Sequence, residues 1–214
     1  MEYAIKSAPI KRTNSGDNVR NGKLDILLLG VGGQGILTSA AILGRAAVNA
    51  DVNVLGAETH GMAQRGGSVE VHIRLGDVYS PLIPVGGADA VVSLEPVEAL
   101  RYSKYYNEDT KIILNSRKIV PLSVSTGGFE YPSIEKIKSV LDEIVSEIYS
   151  FDATAIAETV ANQKATNVVM IGALSKLVEL PFTVKELEDA VKQVLPEKLH
   201  KMNLRALRAG YDFF

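Results

Sequence analysis

The chain has 214 residues, a formal net charge of −2 and 46% hydrophobic residues, which fits one large domain with a substantial core. The near-neutral charge gives no general electrostatic basis for binding nucleic acid or a membrane surface. The absence of cysteine excludes a disulfide, a cysteine nucleophile and a cysteine-ligated iron–sulfur cluster in this chain.

The remaining composition narrows the class of protein further. His60, His72 and His200 have no metal-ligand spacing, so we expect no self-contained metal site. The sequence contains no run of 18 apolar residues and no apolar signal core near its start, so we expect a soluble cytoplasmic protein. Residues 1–22 are polar and rich in turn formers, which predicts a flexible tail ahead of one domain at 23–214.

The first predicted element leads directly into a glycine turn. Apolar residues at 24–29 predict a buried strand, and residues 34–49 predict a helix rich in small side chains. Between them, Gly30, Gly32 and Gly35 have the spacing G-x-G-x-x-G. Glycines allow a tight turn and close approach of a ligand, and a helix N-terminus favours an anion. We therefore assign ligand binding to this turn, including Gly33 and Gln34; the alternative is tight strand–helix packing without a ligand.

A second motif follows the next predicted strand, at 52–56. Residues 58–67, ETHGMAQRGG, combine a carboxylate, an imidazole and a guanidinium with three glycines. Arg65 beside two glycines suits a clamp for a phosphate or a carboxylate. We assign cofactor binding to eight residues of this region: Glu58, Thr59, His60, Gln64, Arg65, Gly66, Gly67 and Ser68. The plainer alternatives are a solvated or helix-capping Glu58, a structural His60, and a surface or intersubunit salt bridge at Arg65. No catalytic residue is assigned.

Residues 68–75 alternate strictly between apolar and polar side chains. This pattern predicts a strand with one buried face and with Glu70, His72 and Arg74 on a half-exposed face, so we expect His72 to be exposed.

The later elements continue the alternation of strands and helices. Periodicity and helix-start signals predict strands at 90–94, 111–115 and 147–151 and helices at 96–106, 133–144, 167–180, 183–195 and 198–209. We expect Gly210 to stop the last helix. Glu95 and Asn115 follow strands, where they are either further site elements or a helix-start carboxylate and a turn former. Asn167 is either a site element or an N-cap.

This order of elements predicts the fold class. Alternating strands and helices indicate an α/β fold with a mostly parallel, Rossmann-like sheet and helices on both faces. The consecutive helices at the end of the chain indicate a C-terminal helical cap. In such sheets the ligand lies at the carboxyl ends of the strands, which places the segments after residues 29, 56 and 94 near one another.

The spaced pair of glycine motifs resembles one family. The motifs are GVGGQGILTSAAILGRAA at 30–47 and ETHGMAQRGGSV at 58–69, with further matching pieces at 88–101, 167–177 and 203–212. Together they resemble the gamma-type domain of 2-oxoacid:ferredoxin oxidoreductases, in its indolepyruvate-type variant. The resemblance runs from about residue 24 to the C-terminus.

The resemblance implies an activity that is shared between subunits. Such complexes decarboxylate 2-oxoacids with thiamine diphosphate, pass electrons through iron–sulfur clusters to ferredoxin, and transfer the acyl group to coenzyme A. Indolepyruvate-type members take arylpyruvates. Thiamine diphosphate, magnesium and the clusters are expected on an alpha-type partner subunit, so the isolated chain is expected to be inactive. For this chain, the two glycine motifs are expected either to help bind coenzyme A or to organise the subunit interface over the thiamine site.

Two other functions are compatible with a glycine turn after a strand. One is a free-standing NAD(P)-dependent dehydrogenase, which the absence of a Y-x-x-x-K pair and of a second domain argues against. The other is a nucleotide-binding adaptor module without an enzymatic context.

Overall fold

The computed structural model describes residues 22–60, 67–119 and 131–214, which form a six-stranded sheet flanked by helices. The strands are β1 (Lys23–Val31), β2 (Val54–His60), β3 (Ser68–Gly76), β4 (Ala90–Ser93), β5 (Lys111–Asn115) and β6 (Glu147–Phe151). The helices are α1 (Ile36–Asn49), α2 (Pro96–Arg101), α3 (Ile134–Leu141), α4 (Ala153–Val160), α5 (Thr166–Leu177), α6 (Val184–Val194) and α7 (Glu197–Asp212). The predicted tail lies outside the described residues, apart from Gly22.

The sheet has the order β2-β3-β1-β4-β5-β6, and β3 alone runs against the other described strands. β1, β4, β5 and β6 pair in parallel, whereas β3 pairs antiparallel with both β1 and β2. The reversal has a simple cause, because only residues 61–67 separate β2 from β3 and a parallel crossover needs a dozen residues or more. The prediction of a mostly parallel α/β sheet is confirmed, with one hairpin added at the edge.

Helices cover both faces of this sheet, as predicted. Alternate residues of β1 enter two separate cores: Ile26 and Leu28 pack with α1, α5, α6 and α7, whereas Leu27 and Leu29 pack with α2 and α3. This alternation follows from the two-residue period of a strand. The C-terminal helices α5–α7 therefore form a layer on the α1 side of the sheet.

The prediction that β3 is half-exposed is wrong. Glu70, His72 and Arg74 retain only 8%, 0% and 9% of their accessible surface. The segments before β4 and after α2 cover their face of the sheet. Arg74 Nη1 donates to the carbonyl of Ser80 at 2.9 Å, and the His72 ring lies edge-on to Tyr105 at 5.1 Å.

Two features of the C-terminal helices also differ from expectation. The sequence interpretation contained no helix at Ala153–Val160, where Asp152 caps α4 by accepting from Ala155 N at 2.8 Å. Gly210 does not stop the last helix, which continues to Asp212. Gly210 instead allows α7 to cross α5 closely, because a Cβ at this position would lie 1.9 Å from the carbonyl oxygen of Val169.

Candidate functional site

The glycine turn lies at the carboxyl end of β1 and leads into α1. Gly33 and Gly35 have φ angles of +100° and +79°, a region that side chains other than glycine rarely adopt. A Cβ on Gly30 would lie 2.6 Å from Gln34 Oε1, so a side chain here would displace that of Gln34. The sequence prediction of a tight strand–turn–helix connection here agrees with the structure.

Gln34 holds the turn in this shape. Its Oε1 accepts from Val31 N at 2.8 Å, and its Nε2 donates to the carbonyl of Leu94 at 2.9 Å. The side chain thus joins the end of β1 to the end of β4. Both polar atoms of the Gln34 side chain therefore bond to backbone groups of the protein and stabilise the turn.

The turn is also joined to the start of β3. Gly32 N donates to the carbonyl of Gly67 at 2.8 Å, and Val31 pairs with Ser68 in the sheet. The glycine turn and the predicted site residues Gly67 and Ser68 therefore lie side by side. Their proximity was expected from the rule that ligand sites collect at the carboxyl ends of parallel strands.

Asn167, in the first turn of α5, contacts the glycine turn from the other side. Its Nδ2 donates to the carbonyl of Gly35 at 3.1 Å, and a Cβ on Gly35 would lie 2.9 Å from the same nitrogen. The sequence suggested either a site element or an N-cap for this residue. Since 132 positions separate the two residues, no local pattern could have shown the contact.

The N-terminus of α1 offers backbone donors to a ligand. Within the described part of the chain, no side chain caps α1, and Gly35 serves as its N-cap. The first N–H groups of a helix have no acceptor inside the helix and carry partial positive charge. Among the described residues other than its chain neighbours, none has an atom within 4 Å of a Cβ built on Gly33. Binding of an anionic group at this turn stays a prediction.

Beside the turn, Ser68 takes part in a polar cluster on the other face of the sheet. Its hydroxyl donates to the buried Glu98 carboxylate and lies 2.8 Å from the hydroxyl of Tyr102. Arg101 Nε donates to the same carboxylate at 3.2 Å. Burial raises the pKa of Tyr102, so its hydroxyl stays protonated at neutral pH and available as a donor.

Glu95 and Asn115 both make hydrogen bonds at the carboxyl ends of β4 and β5. The buried Glu95 caps α2 by accepting from Val97 N at 2.8 Å, and it also accepts from the hydroxyl of Tyr131. Burial raises the pKa of Glu95. Asn115 Nδ2 donates to the carbonyl of Leu94 at 3.2 Å, while its Oδ1 accepts from Ala153 N at 3.1 Å. These contacts match the helix-start interpretation of Glu95 and make Asn115 a link between β4 and α4.

The second glycine motif is only partly described. Glu58, Thr59 and His60 belong to β2, opposite Val71, Glu70 and Val69 of β3, rather than to a loop. The predicted site residues Gln64, Arg65 and Gly66 lie outside the described residues, so their role as a clamp stays a prediction. Because β3 separates β2 from β1, Glu58 is two strands away from the end of β1.

An open depression of about 430 Å³ lies elsewhere, between α6 and α7. It is lined by Val184, Lys185, Glu188, Arg208, Tyr211 and Asp212. No predicted site residue contributes to it. Across residues 22–60, 67–119 and 131–214, no cluster of histidine and carboxylate side chains suits a metal ion, and no helix has the length and apolarity to cross a membrane.

The fold and the turn define a class of protein: an α/β domain with a glycine turn between β1 and the N-terminus of α1. Residues 25–213 match the family of pyruvate ferredoxin/flavodoxin oxidoreductases, and the chain belongs to this family. This membership supports the subunit interpretation and not a free-standing dehydrogenase or an adaptor module.

Individual relatives agree with this membership. The chain is 48% identical over 190 residues to indolepyruvate oxidoreductase subunit IorB from Archaeoglobus fulgidus, a match that covers 89% of this chain and 94% of the relative. A gamma subunit of a keto/oxoacid ferredoxin oxidoreductase from Geobacter sulfurreducens superposes with a TM-score of 0.66 at 20% identity, covering 88% of this chain and 96% of that one.

A longer enzyme contains the same fold. The 2-oxoglutarate:ferredoxin oxidoreductase from Magnetococcus marinus, solved with 2-oxoglutarate, coenzyme A and succinyl-CoA bound, superposes with a TM-score of 0.67 at 19% identity. The match covers 90% of this chain but only 32% of that one. The fold therefore occurs both as a separate chain and as about one third of a larger polypeptide.

Proposed function

We propose that this chain is the non-cofactor subunit of an indolepyruvate-type 2-oxoacid:ferredoxin oxidoreductase, which converts arylpyruvates to acyl-CoA and reduces ferredoxin. The observation that carries the proposal is the 48% identity to a subunit of that name over nearly the whole of both chains. A cytoplasmic location is part of the proposal.

The absence of cysteine agrees with a division of labour between two subunits. Iron–sulfur clusters need cysteine thiolates, and this chain has none. We therefore assign the clusters to an alpha-type companion subunit, and the family resemblance implies that thiamine diphosphate and magnesium lie there as well. On this basis the isolated chain has no turnover with any 2-oxoacid.

For this chain we propose coenzyme A binding at the glycine turn. Coenzyme A supplies the thiol that takes up the acyl group, and its phosphates supply the negative charge that a helix N-terminus attracts. The α1 backbone N–H groups bind the anion, Gln34 and Asn167 keep the turn in shape, and Gly33 leaves room for close approach. The remaining predicted residues, from Glu58 through Ser68, extend this site or form its border with the companion subunit.

Reconstitution tests the overall function. The chain is expressed together with its companion subunit, and the purified complex is assayed for ferredoxin reduction with pyruvate, a branched-chain 2-oxoacid, an arylpyruvate and 2-oxoglutarate. We expect the highest kcat/KM with the arylpyruvate. A complex that prefers another 2-oxoacid would contradict the substrate assignment, and turnover by the chain alone would contradict the division of labour.

A charge substitution tests the coenzyme A site. Leu37 lies in the first turn of α1 and is exposed. Leu37→Glu places a negative charge beside the proposed anion site, whereas Leu37→Gln is a matched neutral control. We expect the KM for coenzyme A to rise at least roughly fivefold with Glu and little with Gln, since nearby like charges repel. Equal KM values in the two variants would place coenzyme A elsewhere. Arg65→Ala is expected to raise the same KM or to weaken subunit assembly.

A further inference from the structure

A second surface lies at the amino end of β1, opposite the end of the strand that leads into the glycine turn. The loop at residues 77–87 follows Gly76, which pairs with Lys23 at the start of β1. The glycine turn follows the other end of the same nine-residue strand, roughly 25–30 Å away. The two surfaces can therefore have separate roles.

The loop exposes three large apolar side chains within seven residues. Tyr79, Leu82 and Val85 retain 91%, 52% and 76% of their accessible surface. We call these three residues the amino-edge patch. Large apolar side chains exposed together on one short loop mark an interaction site in many proteins.

Buried side chains hold the backbone of the loop in place. Arg74 Nη1 donates to the carbonyls of Ser80 and Leu82 at 2.9 and 3.2 Å. The fully buried His72 accepts from Ile83 N through its Nδ1 at 3.2 Å. Burying an arginine or a histidine costs free energy unless the side chain is hydrogen-bonded, and here both side chains bond to the backbone of an exposed loop.

Further contacts fix both ends of the loop. Asn53 Nδ2 donates to the carbonyl of Gly76 at 2.9 Å, and Asn107 Nδ2 donates to that of Gly86 at 2.8 Å. The neighbouring Asp77 carboxylate raises the pKa of Tyr79. A loop whose backbone is already held in one position loses little entropy on binding, so this loop is preorganised for contact.

We propose that the amino-edge patch is a docking surface for the companion subunit, with the Tyr79 ring entering an apolar pocket of that subunit. This proposal rests on the proposed function, because the companion subunit exists only if the chain works within the oxidoreductase. Tyrosine is among the residues that contribute most to binding at the centre of interfaces.

The size of the patch favours the companion subunit over a second copy of this chain. The three side chains expose on the order of 400 Å², whereas a stable interface buries about 800 Å² on each partner. Two copies joined through this patch would fall short of that area. The companion subunit, which the proposed function requires in any case, reaches it by also contacting neighbouring parts of the chain.

Binding measurements with matched variants test the proposal. Tyr79→Ser/Val85→Ser removes most of the exposed apolar surface, while Phe213→Ser removes a side chain with 52% exposure that packs on Phe151 at the other edge of the sheet. Each variant is first compared with the wild-type chain by thermal unfolding. Affinity for the purified companion subunit is then measured by titration calorimetry.

We expect the double variant to bind the companion subunit at least roughly thirtyfold more weakly, and Phe213→Ser to bind within about threefold of wild type. In complexes formed at high concentration, the KM for coenzyme A should stay unchanged in the double variant, because the glycine turn is intact. If the double variant binds the companion subunit with wild-type affinity, the docking surface is wrong and the proposed function still stands.

Two other outcomes would also overturn the proposal, and they can be told apart. If the wild-type chain forms a homodimer that the double variant loses, the patch binds a second copy. If the wild-type chain does not bind the companion subunit at all, the proposed function fails, and the docking surface fails with it.

Discussion

Replacing Arg74 by leucine should destabilise the fold strongly, because it leaves a buried carboxylate without its main partner. Asp25 on β1 is fully buried and accepts from Arg74 Nε at 2.6 Å and from Arg74 Nη2 at 3.2 Å. Lys23 Nζ also lies 2.8 Å from this carboxylate, but its side chain is partly exposed. Arg74 is therefore the partner that most directly balances the buried charge.

The size of the effect follows from the burial of both groups. Removing one member of a buried ion pair costs about 3–5 kcal/mol, and we expect about 3 kcal/mol here because Lys23 compensates in part. For a domain of this size each kcal/mol lowers Tm by about 2–4 °C, so Tm should fall by roughly 6–12 °C. The loss comes from desolvation of an unpaired charge rather than from lost packing.

Urea unfolding at neutral pH, followed by circular dichroism, measures this change. Asp25→Leu and the double variant with Arg74→Leu complete a mutant cycle, in which the double variant should lose about 1–3 kcal/mol less than the sum of the single losses. Lys192→Leu, which breaks an exposed ion pair with Asp189, is the control and should leave the free energy of unfolding unchanged within error. A loss below about 1 kcal/mol for Arg74→Leu would refute this explanation of the pair.

Three further substitutions test other parts of the structure. Gly210→Ala should cost about 3 kcal/mol in urea unfolding, because its Cβ would overlap the Val169 carbonyl, and an unchanged midpoint would contradict the close crossing of α5 and α7. Burial lowers the pKa of His72 despite the nearby Glu70 carboxylate. The free energy of unfolding should therefore be at its full value above about pH 6.5 and should fall as the pH drops through the lowered pKa. In His72→Phe, this dependence of the unfolding free energy on pH between about 7 and 5 should disappear. Gln34→Leu should cost about 1–3 kcal/mol by leaving a buried turn donor unpaired, and a smaller loss would show that water replaces the amide.

The direction of the His72 effect follows from its contacts. In the folded protein Nδ1 accepts from Ile83 N, which requires that this nitrogen carry no proton. Below pH 6.5 the unfolded chain takes up a proton that the buried ring resists, so the unfolded state gains stability. Lys104 and Arg74, which also face the ring, act in the same direction as burial.

Part of this molecule was determined by local sequence alone. The strands Lys111–Asn115 and Glu147–Phe151 agree with their predicted bounds, and the predicted capping box at Thr183 and Glu186 is formed at the start of α6. These signals involve side chains a few positions apart, so their energies do not depend on the rest of the fold. The glycine turn after β1 is of the same kind, because its backbone angles demand glycine wherever the turn lies.

Only the tertiary structure decided what surrounds each element. The alternation in β3 correctly predicted a strand, but the burial of His72 depends on a loop about ten residues further along the chain. Glycine is typical of a helix end, yet Gly210 lies within α7 and allows this helix to cross α5 closely, which local sequence cannot reveal. Asn167 reaches the glycine turn across 132 positions of sequence. Propensity and periodicity act within a few residues, whereas burial and contact between distant segments depend on how the whole chain packs, which is why the elements were predictable and their surroundings were not.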